Sequence, residues 1–300
     1  MRKRLLKVGS AGIQQSLNIS TDIELSKEEY RILFSNQTAM KNYTPDSLRT
    51  KRAAFRALHN QGCFVLPNPW DVGGIRRLEK LGFKALASTS AGAAWSLGRD
   101  DGELSLDEAL THLRLLCAAT DLPVNADFEA GFANDPEGVA TNVALALDTG
   151  IAGLSIEDRT GRALYEKPLA VDRIKAAHEA IVRSGHDVVL VGRSEGYLIG
   201  RTELGETIDR LVAYADAGAG CLYAPGITDL SAIRTLVSAV APKPVNVLLI
   251  GPDMRVADLA DAGVRRVSVG GTLAAVAWAA FDRAVRLLID EGTLPKREFT

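Results

Sequence analysis

Residues 187–223 read DVVLVGRSEGYLIGRTELGETIDRLVAYADAGAGCLY, and this one stretch holds a complete structural unit. It opens on a short apolar run, 187–192, rich in valine, which is strand chemistry. Residues 203–217 then place apolar side chains at helical spacing, Ala217-Gly218 supplies a helix C-terminus, and 220–223 begins the next apolar run. The unit is strand, helix, strand.

The same alternation extends in both directions. Apolar runs fall at 63–66, 84–88, 122–127, 152–157, 187–192, 220–223, 244–250 and 265–269. Helical patterns fall between and after them, at 71–82, 105–119, 135–149, 170–183, 203–217, 229–240, 255–262 and 272–291. Leu81-Gly82, Thr149-Gly150 and Ala262-Gly263 repeat the helix-ending pair. Eight β/α units in about 230 residues predict a TIM (β/α)8 barrel. An open doubly wound sheet would carry a G-x-G-x-x-G after its first strand, and Pro67-Asn68-Pro69-Trp70-Asp71 is not one.

Composition narrows the class of partner. The 35 basic and 37 acidic residues nearly cancel at net −2, which gives no electrostatic reason to expect nucleic acid or an anionic membrane. No apolar run approaches the roughly 20 residues of a membrane span, so a soluble protein is expected. The three cysteines, Cys63, Cys117 and Cys221, are widely spaced and form no C-x-x-C pair. They read as small buried hydrophobes in a reducing, cytoplasmic setting. Met1-Arg2-Lys3-Arg4 looks like the start of a secretory signal, but Lys7 follows Leu5-Leu6 and no apolar stretch develops. Residues 1–45, rich in Gln and Asn with weak periodicity, are expected to be an N-terminal extension, with a short helix at 25–34 and a possible translation start at Met40. The catalytic barrel is then 46–292 and the tail 293–300.

In such barrels the active site is built at the strand C-terminal ends. Those ends carry Asn68 and Asp71; Ser88-Thr89-Ser90-Ala91-Gly92; Asp127-Phe128-Glu129; Glu157-Asp158; and Arg193-Ser194-Glu195. Asp127 and Glu129 are two apart, on the same side of an extended segment, and Glu157 ends the neighbouring strand. Converging carboxylates repel one another unless a cation neutralises them. Hard oxygen ligands suit Mg²⁺ or Mn²⁺, and Mg²⁺ needs only one or two direct carboxylates. The alternative is a structural salt-bridge network with Arg159, Arg162 or Arg193. Arg193 either balances the acids or binds a substrate carboxylate. The 89–92 turn offers N–H groups to an anion, or is a plain turn.

Weaker signals complete the inventory. His59, His112, His178 and His186 share no strand end and read as surface or capping residues. Gly270-Gly271-Thr272 fits either a phosphate site or a tight turn. The last helix, with Trp278, Phe281 and many alanines, is apolar nearly all round, as at a subunit interface; packing on its own barrel is the alternative.

Taken in order, Asn68-Pro69-Trp70-Asp71, Thr89-Ser90-Ala91-Gly92, Ser96-Leu97-Gly98-Arg99-Asp100-Asp101-Gly102, Asp127-Phe128-Glu129-Ala130-Gly131-Phe132, Ile156-Glu157-Asp158, Arg193 and the segment Gly263 to Gly270 resemble the isocitrate lyase/phosphoenolpyruvate mutase superfamily over roughly residues 50–292. The resemblance implies an Mg²⁺-dependent barrel that makes or breaks C–C or P–C bonds beside a carboxylate through an enolate-like intermediate. It implies a homodimer or homotetramer that exchanges its C-terminal helix. It places Asp127, Glu129 and Glu157 at the metal, with glutamate where the family has its second aspartate. Thr89, Ser90 and Ala91 fall where the substrate carboxylate is gripped, with Asp71 a further substrate-binding candidate, Arg193 falls on the substrate-binding arginine, and Asp101 on a mobile-loop catalytic aspartate; Arg193 and Glu157 are catalytic candidates as well.

One departure matters. The isocitrate and methylisocitrate lyases follow Glu-Asp with Lys-x-Cys-Gly-His, whereas Arg159-Thr160-Gly161-Arg162-Ala163-Leu164 follows here and holds no cysteine. The sequence therefore resembles the mutase-like branch. Its expected function is Mg²⁺-dependent C–C lysis of a small 2-oxo or 2-hydroxy carboxylate. Phosphonopyruvate hydrolase or mutase chemistry, and a non-catalytic metabolite-binding barrel, are the alternatives.

Overall fold

A computed structural model describes residues 44–296 of the chain. The expectations placed on residues 1–43, and on the end of the tail, lie outside the described residues. Helix α1 (Pro45–Leu58) starts where Thr44 caps the N–H of Ser47 and Pro45 occupies the first turn. Strand β1 (Phe64–Leu66), α2 (Val72–Lys80), β2 (Leu86–Ala87), α3 (Ser90–Ser96), α4 (Leu106–Ala118), β3 (Val124–Asp127), α5 (Pro136–Leu147) and β4 (Gly153–Glu157) follow. Strands β5 (Arg159–Thr160) and β6 (Ala163–Leu164) make a small antiparallel hairpin. Then come α6 (Lys167–Ser184), β7 (Val189–Arg193), α7 (Leu204–Asp216), β8 (Cys221–Tyr223), α8 (Leu230–Ala239), β9 (Val245–Leu248), α9 (Val256–Asp261), β10 (Arg266–Ser268) and α10 (Thr272–Glu291).

Eight strands pair in parallel in the order β1-β10-β9-β8-β7-β4-β3-β2. The Ala87 N–H donates to Pro67 O at 3.0 Å across the seam between β2 and the end of β1, so the sheet nearly closes on itself. With helices flanking it, the fold is a TIM barrel. Each of these eight barrel strands lies within an apolar run of the sequence, except that Arg193 also joins β7. Helix α3, the β5–β6 hairpin and a 3-10 turn at Gly196–Ile199 were not separated by the sequence. Each is too short to show a period.

Local chemistry accounts for the element ends. Asp71, Thr89, Asp135 and Asp229 cap helices through their side chains, and Ser105 with Glu108 forms a capping box. Gly82, Gly150, Gly218 and Gly263 all take positive φ just after a helix, as the sequence pairs implied.

The core has two layers, set by the alternation of side chains along each strand. Leu154, Leu190 and Leu222 pack outward against helix residues such as Val143, Ile174 and Leu211. Ala85, Ala87, Val189, Val191, Cys221 and Tyr223 fill the interior with Leu66 and Phe55. Gly153 faces inward too, where a Cβ would stand 2.6 Å from both Asn125 Oδ1 and Phe55 Cε1. The missing side chain is what lets Asn125 and Phe55 pack there.

Two expectations are settled by packing. His59 is the C-cap of α1, the capping half of its expectation, but it is buried rather than on the surface: Nδ1 lies 2.9 Å from Phe55 O, and the ring packs edge-on to Phe55 and Phe64. Burial pushes its pKa down to about 3. Helix α10 does not pack along its own barrel. Ala274 is its one buried residue, while Val276, Phe281 and Ile289 are 60%, 58% and 75% exposed.

Candidate active site

A cavity of about 180 Å³ opens at the C-terminal ends of the strands. Thr89, Ser90, Ala91, Asp101, Asp127 and Arg193 all line it. Six residues singled out in the sequence thus meet at one mouth. Glu129 and Glu157 stand beside that lining rather than in it. Asp71 lies apart, exposed, because its carboxylate caps α2 by accepting the Gly74 N–H at 2.6 Å. It is not placed to touch a substrate in the cavity.

The turn before α3 already holds a carboxylate, and it is the protein's own. Ser90 donates its backbone N–H and its hydroxyl to Asp127 Oδ2, both at 3.0 Å. The same hydroxyl lies 3.1 Å from Asp101 Oδ1. One hydroxyl hydrogen cannot serve two ionised oxygens at once. Burial, and then the charge of Asp127, raise the pKa of the Asp101 carboxyl, which turns inward although the residue is otherwise exposed at the mouth. Asp101 therefore takes up a proton more readily than an exposed aspartate does.

Arg193 is the electrostatic centre. Its Nη1 is 3.0 Å from Asp127 Oδ1 and 2.9 Å from Glu157 Oε1, and its Nε is 2.5 Å from Glu195 Oε1. Burial opposes its charge, but the carboxylates of Glu157, Glu195 and Asp127 outweigh that and hold its pKa well above the usual value. Burial likewise drives the Glu157 carboxyl well above its ordinary range, against the pull of Arg193. Arg159 adds a weaker contact, 3.6 Å from Glu195 Oε2. The ion-pair network anticipated as an alternative therefore exists, through Arg193 and Arg159; Arg162 is exposed and takes no part.

Glu129 is different. Its backbone is left-handed, φ 45°, a conformation that costs a non-glycine residue about 1–3 kcal/mol. Its Oε1 is buried without a hydrogen-bond partner. Burial, then the charges of Asp127 and Asp101, push its pKa up to about 7. The loop after it is braced by Arg173 of α6, which donates to the carbonyls of Ala130, Ala133 and Asn134 and stacks on Tyr165 at 4.1 Å.

Among the described residues no three His, Cys, Asp or Glu side chains form a ready-made metal-holding group. Asp127 and Glu157 are turned onto Arg193, and one buried Glu129 oxygen is unsatisfied. Such a set fits a largely hydrated hard cation that needs one or two direct carboxylates. Asp158 is committed elsewhere: it accepts from Tyr214 Oη at 2.6 Å, Ser194 Oγ at 2.9 Å and the Glu195 N–H at 2.8 Å.

The N–H groups of Val269 and Gly270 both donate to Asn68 Oδ1 at 3.0 Å, so the Gly270 segment is a tight turn tying β10 to the end of β1. Glu195, Asn125, Ser155, Tyr223, Ser268 and Arg266 were given no role by the sequence, although the last five line the cavity. The available signal was parity: Asn125 and Ser155 lie two residues before Asp127 and Glu157, on the same inward face.

The architecture is a TIM barrel with an acidic, arginine-centred mouth at the strand C-terminal ends. The chain matches the phosphoenolpyruvate phosphomutase family over residues 55–289, and it belongs to that family, within the isocitrate lyase/phosphoenolpyruvate mutase superfamily. It is 31% identical over 267 residues to the oxaloacetate decarboxylase of Rhodopseudomonas palustris (strain BisB5), covering 83% of this chain and 88% of that one. It is 34% identical over 211 residues to the 2-methylisocitrate lyase of Escherichia coli (strain K12), covering 65% and 68%. A solved structure from Burkholderia cenocepacia J2315 is 47% identical with a TM-score of 0.80, covering 83% of this chain and 91% of that one.

Proposed function

We propose that this protein is an Mg²⁺-dependent lyase that cleaves a C–C bond in a small 2-oxo or 2-hydroxy carboxylate. The observation that carries the reading is the mouth itself: Ser90 and Arg193 converge on Asp127 beside an unsatisfied, buried Glu129 oxygen. Asp127 and Glu129 would hold the metal, with Glu157 behind Arg193; Mn²⁺ would suit the same donors. The bound metal supplies a Lewis acid that draws electron density from a substrate oxygen.

The remaining work falls to the chain. The Thr89-Ser90-Ala91 turn presents the Ser90 N–H, which donates to Asp127, at the mouth where a substrate carboxylate would be gripped. Arg193 sets a fixed positive charge beside the site where negative charge develops as the bond breaks. Asp101 closes the mouth over Ser90 and holds or releases a proton there. The relatives named for C–C chemistry, a decarboxylase and a lyase, support this reading.

Assays with oxaloacetate, substituted malates and phosphonopyruvate, each with Mg²⁺ and with EDTA, test it. Turnover of an oxaloacetate or malate that EDTA abolishes is expected. Turnover of phosphonopyruvate alone would favour P–C chemistry, the second reading that the family match supports. Failure on every substrate, with no Mg²⁺ binding by calorimetry, would leave a metabolite-binding barrel.

We further propose a cytoplasmic homodimer or homotetramer that exchanges α10. The exposed Trp278 and Phe281, 5.9 Å apart edge to face on a helix with one buried residue, support the exchange. No helix of the described residues is long and apolar enough to cross a membrane. Light scattering should give twice or four times the 32.0 kDa chain mass, and F281D should lower it to one chain. A monomeric wild type would end the proposal.

A further inference from the structure

Arg266, the first residue of β10, points into the barrel and lines the same cavity as Arg193, from below. It is 2% exposed. Its Nε donates to Asn246 Oδ1 at 2.9 Å and its Nη1 to Asn125 Oδ1 at 3.2 Å. Both acceptors are neutral amides, and both are oriented by other bonds: Asn246 Nδ2 donates to Ser268 Oγ, and Asn125 Nδ2 to Ala126 O. No carboxylate of the described residues lies within ion-pair distance of Arg266.

A buried cation without a counter-charge is costly, and such groups are paired in nearly all folded proteins. The acids at the mouth do not need this one. Asp127, Glu157 and Glu195 already share Arg193. Of the two cations that line the cavity, Arg193 is neutralised and Arg266 is not. The small residues above it, Ala87, Ser155 and Ser268, keep the way from the mouth open.

We propose that Arg266 is an anion-binding residue at the floor of the cavity, and that it receives a second anionic group of the substrate. The planar guanidinium, fixed at two corners by Asn125 and Asn246, presents its remaining donors to a carboxylate. The substrate class is then a dianion whose long axis runs down the barrel. The inference rests on the cavity being the active site. A free inorganic anion has the same chemistry and is the other source of the missing charge.

Calorimetry on the full chain with acetate, malonate, succinate, phosphate and chloride tests this, in the wild type, Arg266→Met and Asn125→Asp. The last variant is isosteric and sets a built-in counter-charge where Arg266 Nη1 now meets an amide, so it keeps the test usable if Arg266→Met does not fold. The wild type should bind malonate or succinate at least tenfold more tightly than acetate, and both variants should lose that preference while still binding acetate. A tenfold preference that survives in both variants overturns the proposal. Phosphate or chloride binding that depends on Arg266, without any dicarboxylate preference, overturns its substrate part and assigns the floor to a free ion. A wild type that binds no carboxylate or inorganic anion at all takes down the active-site reading along with it.

Discussion

Replacing Arg193 with methionine is expected to lower stability by about 3–5 kcal/mol at pH 8 and to abolish turnover, because it leaves three buried or half-buried carboxylates without their shared cation. The loss should depend on pH in a defined direction. Glu157 already has a folded-state pKa raised by burial, and removing Arg193 raises it further. A raised carboxyl keeps its proton in the native state after the unfolded chain has lost its own. Stability therefore falls as pH rises from the unfolded value, about 4.3, toward the folded one. The difference between wild type and variant in urea midpoint should be largest at pH 8 and shrink toward pH 4.5. A small loss of equal size at both pH values would mean that the cluster around Arg193 is not an electrostatic unit.

Replacing Glu129 with glutamine should stabilise the metal-free protein at high pH and weaken metal binding, two effects of opposite sign. With its folded pKa at about 7, Glu129 costs stability that is absent below the unfolded value and fully present above pH 7. Glutamine keeps the shape without that penalty. Allowing for partial solvent screening of a half-buried group, the gain at pH 8 should be about 2 kcal/mol, vanishing near pH 4.5. Magnesium should raise the melting temperature of the wild type at pH 8 and protect the variant far less, since a lost ligand or supporting group costs roughly 10–100-fold in metal affinity. The wild-type affinity should itself decline as pH drops below 7 and the proton competes. Thermal melts at the two pH values, with and without Mg²⁺, read all three effects. A variant that is less stable than the wild type at pH 8 without metal would show that the Glu129 carboxylate makes a net favourable contact, and the metal reading would lose its main support.

The eight strands and their helices were legible because apolar period and ending pairs such as Ala217-Gly218 are local signals. The mouth was legible because barrel geometry assigns it to strand ends, and Ser90, Asp101, Asp127 and Arg193 do meet there. Partnership was not legible. The pairing of β4 with β7 sets Glu157 opposite Arg193, and that of β7 with β8 sets Tyr223 beside it, which are matters of register between distant segments. Asp71 shows the converse. It stands in the segment that follows β1 and looked available, but a bond to the Gly74 N–H, three residues away, uses it as a cap.

By itself, then, the sequence determined the barrel, the end of the barrel that carries the polar side chains and the family resemblance, since each rests on spacing within a few residues or on ordered motifs. Tertiary structure alone decided which charges neutralise one another, that one Glu129 oxygen is left unsatisfied and that Arg266 faces an open cavity without an acid. The reason is physical: periodicity and capping are properties of neighbouring residues, whereas the balance of a buried charge depends on what the closed sheet brings to it from far along the chain.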